Sequence, residues 1–455
     1  MRIDHRESAT MVSATLADNK QGSDPSLALS AVSERALRKN AWRLLPFLAF
    51  ASFVHYMDRT NIAFAALSMN RDLGLTAAEF GSAASIFYFG YVLVSVPSSL
   101  AVYRYGARRW LACIMICWGL GAAAKALVTG PATLSTIRFI EGAAQAGFFP
   151  GVIYYLTLWF PPQYRARALA WFLVSIPASA VIGGPVAVTL LQMDGVLGLS
   201  GWRWLFLIEG LPTVVFGLIA LYVIVDGPKD ASWLAGEERR ELLTVIADEP
   251  PVGRQSFLVA LRDKRTSVLA AVFFLLILGV LGPAYWMPLI LKSHGLSDAQ
   301  VGWISAGPYL VAAVAMVLSS RLMDRTGGHV LYLAGACLIA AAGFTFSVFY
   351  NALLPALLGL TVALAGLGAA RPAFFSIPPK FLTGIAAAGG LALINSAGSL
   401  GGVVGPFAVG WLKDATGSFR AGLYSLAGAL VLASLLTLVL GALVRGPPKS
   451  RSGPS

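Results

Sequence analysis

Apolar stretches recur along almost the whole chain, each long enough for a helix and separated by short polar or glycine-bearing connections. A helix needs about 20 predominantly apolar residues to cross the hydrocarbon core of a bilayer. Twelve stretches reach that length, near 42–67, 79–102, 110–129, 132–159, 167–192, 203–225, 266–291, 299–322, 329–350, 353–376, 384–412 and 419–444. Proline and glycine inside several of them do not disqualify a crossing, because neighbouring helices can satisfy the freed backbone groups. One connection is long, 226–265, and "EERRELLTVI" within it reads as a surface helix. The pattern predicts an all-α membrane protein with twelve transmembrane helices in two bundles. A disordered tail covers 1–40, a six-helix bundle 41–225, a linker 226–265, a second bundle 266–445 and a short tail 446–455.

The two halves repeat each other. "GLTAAEFG" begins at Gly74 and "GLSDAQVG" at Gly295, so 295 − 74 = 221, and the same offset relates Gly106 of "YRYGARR" to Gly327 of "MDRTGGH" and Pro185 of "GGPVAV" to Pro406 of "VGPFAV". One offset shared by three separated motifs marks an internal repeat. Its period spans an even number of crossings, so both six-helix copies face the same way.

Composition agrees with lipid as the solvent: 57% of the 455 residues are hydrophobic and 12% charged, against about 25% charged in a soluble domain. The net charge of +12 does not describe a nucleic-acid-binding face, because the basic residues lie between apolar stretches. Arg104, Arg108, Arg109, Arg165, Arg167, Arg239, Arg240, Arg321, Arg325 and Lys380 all fall in even-numbered connections. Short loops rich in Lys and Arg stay in the cytoplasm, which predicts cytoplasmic termini and a multi-pass protein of the cell inner membrane. Cys113, Cys117 and Cys337 lie inside apolar runs and are expected as small core residues. An ATP-driven pump is excluded by the lack of a Gly-x-x-x-x-Gly-Lys-Ser/Thr loop. His5, His55, His294 and His329 are scattered, so neither an enzyme active site, a cofactor nor a metal is expected.

Charge inside the runs carries the chemistry. A charged side chain at the bilayer centre costs about 2.5–3.5 kcal/mol on insertion scales, so it normally faces a cavity and has a role. Asp58 and Arg59 are adjacent in "FASFVHYMDRTNIAFAAL", and Arg138 and Glu141 stand three apart in the fourth run, where they can pair on one helix face. These pairs could simply tie helices together. Two guanidinium groups aimed into a wet cavity would instead offer forked donors that match a carboxylate, and the substrate is then a small organic anion. Lys125, near the outer end of the third run, is expected to snorkel.

The paired turns "YRYGARR" and "MDRTGGH" resemble those of the major facilitator superfamily over residues about 42 to 445. "YMDRTNIAFA", "RFIEGAAQAGFFPGVIYYLTLWFP", "GWRWLFLIEGLP", "WLAGEERREL" and "GLALINSAGSLGGVVGPF" are similar to the anion:cation symporters, which include permeases for sugar acids, tartrate, phthalate and hydroxyphenylacetate. The resemblance implies the major facilitator fold and import of a carboxylate by alternating access, with proton symport. It implies that Arg138 is the carboxylate anchor, that Asp58 and Arg59 are the proton-coupled pair, and that Tyr56, Tyr91 and Asn395 line the substrate cavity; as a bland alternative these last three fill polar gaps between helices.

Two positions depart from the family pattern. Gln145 stands where relatives usually carry a glutamate, and an amide cannot take up a proton. Either Glu141, one turn earlier, or His55 on the same helix as Asp58 could take over coupling; otherwise the carrier is an exchanger or uniporter, or couples to another ion. Arg371 replaces a small residue and either grips substrate from the second half or snorkels toward the inner surface. Gly106, Arg108 and Arg109 in one turn and Asp324, Arg325 and Gly327 in the other are expected gate parts. Phe87, Tyr88, Tyr285, Trp286 and Phe375 are candidates to border the cavity. A monomer in the bilayer is expected, with a drug or metabolite exporter as the rival reading.

Overall fold

The computed structural model describes residues 30–247, 263–382 and 384–445. The expected tail up to residue 29, linker residues 248–262 and the tail 446–455 lie outside the described residues. Among the described residues the fold is helical without strands.

The first half contains α1 (Ala31–Asp72), α2 (Ala77–Tyr105), α3 (Ala107–Ala124), α4 (Pro131–Gln145), α5 (Phe148–Trp159), α6 (Pro162–Leu173), α7 (Ser175–Leu191) and α8 (Gly201–Val223). The linker contributes α9 (Gly236–Ala247). The second half is α10 (Lys264–Lys292), α11 (Asp298–Thr326), α12 (His329–Phe349), α13 (Leu353–Phe375), α14 (Gly384–Thr416) and α15 (Arg420–Arg445). The fourth crossing breaks between α4 and α5, and the fifth between α6 and α7. Pro150 and Pro177 stand four residues after Ala146 and Leu173, where a proline ring clashes with the carbonyl it faces and supplies no N–H to it.

Ten helices are long and apolar enough to cross a membrane by length and composition. The two crossings outside that set are α1 and the broken α4–α5 pair. They hold His55, Asp58, Arg59 and Asn61, and Arg138, Glu141 and Gln145, so the polar cargo itself lowers their apolar character.

The 221-residue offset reappears as local physics. Thr76 and Glu79 form a capping box at the start of α2, and Ser297 and Gln300 form the same box at the start of α11, each satisfying first-turn amides that a helix cannot pair internally. Gly106 and Gly327 both take positive φ, +84° and +71°, a backbone that only glycine adopts freely.

The halves meet at one end. Gly81 of α2 lies against the Pro406 carbonyl of α14, and Gly410 against the Ala77 carbonyl; Gly184 of α7 and Gly302 of α11 face each other's backbones. Asp414 at the end of α14 accepts from the Ala77 and Ala78 amides at 3.2 and 2.6 Å. At the opposite end of α2, Leu93, Val96, Leu100 and Tyr103 are exposed.

The tail expectation over 1–40 is corrected at its far end, because α1 starts at Ala31, capped by Ser30. The linker stabilises that start. Lys39 pairs with Glu238 at 2.9 Å, Ser33 donates to Glu241 at 3.0 Å, and Trp233 Nε1 donates to Asn40 at 2.9 Å while its ring stacks on Trp159. The cysteine expectation also needs correction: Cys337 is buried, but Cys113 and Cys117 lie exposed on α3, because a helix of a membrane protein can turn apolar residues outward.

Gly142 lies close against a neighbouring backbone: a Cβ there would stand 1.9 Å from the Phe87 carbonyl oxygen of α2. Gly142→Ala is expected to destabilise by about 1–3 kcal/mol, the cost of overpacking, read as a lower thermal midpoint in detergent. Gly307→Ala, where nothing lies within 4 Å, should leave the midpoint unchanged.

Candidate functional site

Asp58 and Arg59 are neighbours on α1 and so point about 100° apart around the helix. Asp58 turns into the first bundle and is 2% exposed, while Arg59 is half-buried over the rings of Tyr56, Phe87, Tyr88 and Tyr91. On α4, Arg138, Glu141 and Gln145 follow three- and four-residue steps and share one face; all three are fully buried.

Lys125 joins the two helices. Its Nζ lies 3.0 Å from Asp58 Oδ1 and 2.9 Å from Glu141 Oε1, and its exposure is 0%. The snorkelling expectation is therefore wrong. The lysine sits in the 3-10 turn Lys125–Leu127 at the end of α3, and that turn aims the stem back into the bundle, where two carboxylates outweigh access to water.

Every remaining carboxylate oxygen of this pair is also occupied. Trp118 Nε1 and Gln145 Nε2 donate to Asp58 Oδ2 at 2.9 and 2.8 Å. Arg138 Nη1 donates to Glu141 Oε2 at 2.8 Å, its guanidinium stacks on Phe87, and Nη2 donates to the Tyr285 hydroxyl of the second half at 3.3 Å. Tyr285 in turn donates to Tyr88 at 3.4 Å. The core is thus two cations against two anions, in the hydrogen-bonded geometry that makes buried ion pairs tolerable.

Arg59 and Glu209 of the first half remain outside those pairs. Arg59 Nε donates to Gln145 Oε1 at 3.1 Å, and its Nη2 has no partner. Glu209 of α8, 6% exposed, accepts a close contact from Asn61 Nδ2 and leaves Oε1 unpartnered. Asn61 Nδ2 also reaches Asp58 Oδ1 at 3.4 Å. One line of contacts therefore runs Arg59–Gln145–Asp58–Asn61–Glu209.

The structure brings together Asp58, Arg59, Glu141, Arg138, Gln145, Tyr56 and Tyr91. Arg371 of α13 is half-buried in electrostatic range of the Tyr56 phenol, facing the first half from the second. His55 is apart from the hydrogen-bonded network: its ring packs among Tyr56, Trp118 and Phe148, and neither ring nitrogen has a partner. Asn395 is exposed on α14, and only its carbonyl is engaged, by Ser399. Of the aromatic candidates, Phe87, Tyr88 and Tyr285 join the site, Trp286 packs on Phe80 and donates to the Pro406 carbonyl, and Phe375 is exposed.

In the first gate turn, Asp226 accepts the Arg108 amide at 2.8 Å and packs on Gly106, while the Arg108 side chain donates to the Leu221 carbonyl. Arg109 is exposed, and so are Asp324, Arg325 and Gly327 in the second turn.

A family model of the Major Facilitator Superfamily matches residues 48–389 and 269–455. The chain belongs to the Major Facilitator Superfamily. It is 44% identical over 419 residues to a protein of Agrobacterium vitis provisionally named a tartrate transporter, covering 91% of this chain and 93% of that one. It is 38% identical over 414 residues to a quinolone resistance transporter of Acinetobacter baumannii, covering 89% and 94%. Among solved structures, a bacterial homologue of the human lysosomal transporter Spinster superposes with a TM-score of 0.74 at 17% identity, over 90% of this chain and 98% of that one, a likeness of fold. As a member of this superfamily the chain is an integral membrane transporter and not an enzyme, with twelve helices in two bundles.

Lys125, Glu209, Asn61 and Trp118 are site residues that reading the sequence missed. Glu209 lies inside the 203–225 run, so the cost argument applied to Asp58 and Arg138 flags it too.

Lys125→Met leaves two buried carboxylates without their shared cation and is expected to cost about 3–5 kcal/mol, read as a large drop in thermal midpoint in detergent. Adding Asp58→Asn should recover part of the loss. A snorkelling lysine would instead change stability by no more than about 0.5 kcal/mol.

Proposed function

We propose that the protein is a secondary carrier that imports a small organic anion, a carboxylate, by alternating access with proton symport. The observation that carries this reading is Arg59: half-buried, without a carboxylate partner among the described residues, walled by Tyr56, Tyr88 and Tyr91, and with free donor capacity at Nη2. A buried guanidinium donor walled by phenol rings and without a carboxylate partner is a receptor for an anion with two coplanar oxygens. The tartrate name carried by a 44% identical relative supports the same substrate class.

Arg59 is the first seat of the carboxylate, and Arg371 faces it from the second half. Arg138 is the second arginine of the site. Its Nη1 is held by Glu141 and its Nη2 by Tyr285, so it meets the anion only when Glu141 releases it.

The end at which the halves are sealed holds the starts of α2 and α11. With cytoplasmic termini in the plasma membrane, that end is the outer one and the carrier is poised toward the cytoplasm. Arg108 and Arg109, with Asp324 and Arg325, then act in the opposite state, where the inner ends come together. Export is the second reading, favoured by the quinolone resistance relative; it differs in direction and in accepting bulky apolar cargo.

Arg59→Ala is expected to weaken carboxylate binding by about 10- to 150-fold, the equivalent of a charge-assisted bond of about 1.5–3 kcal/mol, measured by calorimetry on purified protein with a panel of mono- and dicarboxylates. Unchanged affinity would remove Arg59 as the seat. Tight binding of apolar cations with no carboxylate binding would select the exporter.

A further inference from the structure

Among the described residues, Glu209 is the one buried acid near the site that is not paired with a cation. Asp58 and Glu141 share Lys125, and Glu141 also holds Arg138. Glu209 has only the Asn61 amide, with Oε1 unpartnered. The groups that face it can be named helix by helix. From α1 come Asn61 and, behind it, Asp58; α3 sets Gly119 and Ala123 against Gly210, and the turn after it brings Lys125, engaged by the other two carboxylates. The α7 segment "SIPASAVIGGPVAVTLL" contains no titratable side chain. On α8 itself, Thr213 donates to the Glu209 carbonyl, and Arg203 is turned to the carbonyls of Ala126 and Val128. A bare carboxylate in such a place is far more costly than a neutral acid.

We propose that Glu209 holds the proton that travels with the substrate, a site that rests on the symport reading above. The O–H bond forms at Oε1 with a proton from water on one side of the membrane and breaks to water on the other; nothing is oxidised or reduced. Asn61 links this event to substrate. When Glu209 is neutral its hold on the Asn61 amide weakens, and that amide serves Asp58. When Glu209 is charged the amide moves back, and Asp58 leans on Gln145, whose other end holds Arg59. Gln145 thus transmits the coupling without carrying the proton itself, which explains how an amide can occupy that place.

Two measurements test the proposal. Infrared spectra of the full-length protein at neutral pH should contain the stretch of a protonated carboxyl group that Glu209→Gln removes and Glu209→Asp shifts. This readout needs no substrate. Wild-type protein with no such band, or a band that survives in Glu209→Gln, overturns the assignment even if carboxylate transport is intact. Glu209→Gln is then followed against wild type in proteoliposomes with labelled tartrate as the probe. It should lose at least about 10-fold of the accumulation driven by a pH gradient, together with the pH dependence of uptake. Gradient-driven accumulation at the wild-type level in that variant overturns the proposal. Failure of wild-type protein to bind or exchange any carboxylate would overturn the substrate reading, while the infrared band would still decide Glu209.

Discussion

The first half of this carrier depends on one ammonium group shared between two carboxylates in a space that excludes water. At such short separation and low polarisability the attraction is many times its value in water, and each ion would be costly alone. Lys125 therefore pins three segments at a single point: α1 through Asp58, α4 through Glu141, and the end of α3 through its own backbone. Arg138 joins by the second oxygen of Glu141, and Trp118 and Gln145 complete Asp58. With that centre neutral, the groups left over acquire distinct characters. A cation lies toward the boundary between the halves and an acid lies behind, connected through two amides.

The two halves divide the chemistry unequally despite their common ancestry in the sequence. Within the runs of the second half, Arg371 is the charged residue that lies beside the site, and the Tyr285 hydroxyl makes a polar contact to the ion network across the boundary. One bundle holds a fixed electrostatic framework and the other offers a lighter, movable face to it. Alternating access suits that division, because the Lys125 centre that joins Asp58 to Glu141 lies within one bundle and can stay whole when the bundles rock.

The crossings and the repeat were legible because they depend on properties that run along the chain. Length, apolarity and the offset of 221 predict twelve helices, and the matched capping boxes at Thr76 and Ser297 follow the same offset. Asp58, Arg59, Arg138 and Glu141 were legible because charge in a long apolar run is rare and costly. Lys125 was not, because depth along a helix does not tell which way a flexible stem points; its partners lie 67 and 16 residues away. Glu209 was hidden behind a familiar motif, and His55 looked closer to the network than it is because sharing a helix with Asp58 does not ensure sharing a partner. The start of α1 at Ala31 was missed since its polar surface is covered by the linker, through Glu238, Glu241 and Trp233, a contact no local pattern reveals.

The carboxylate of Asp414, clasping the first amides of α2, has no counterpart in the other copy: the position 221 residues earlier is Met193. One flank of the closed end is thus fastened by a charged clasp on a helix tip, and the other, α7 on α11, by close packing of Gly184, Val188 and Gly302. Parting the bundles there strips two amides and an anion of each other on one flank only. Opening that end therefore asks unequal things of its two flanks.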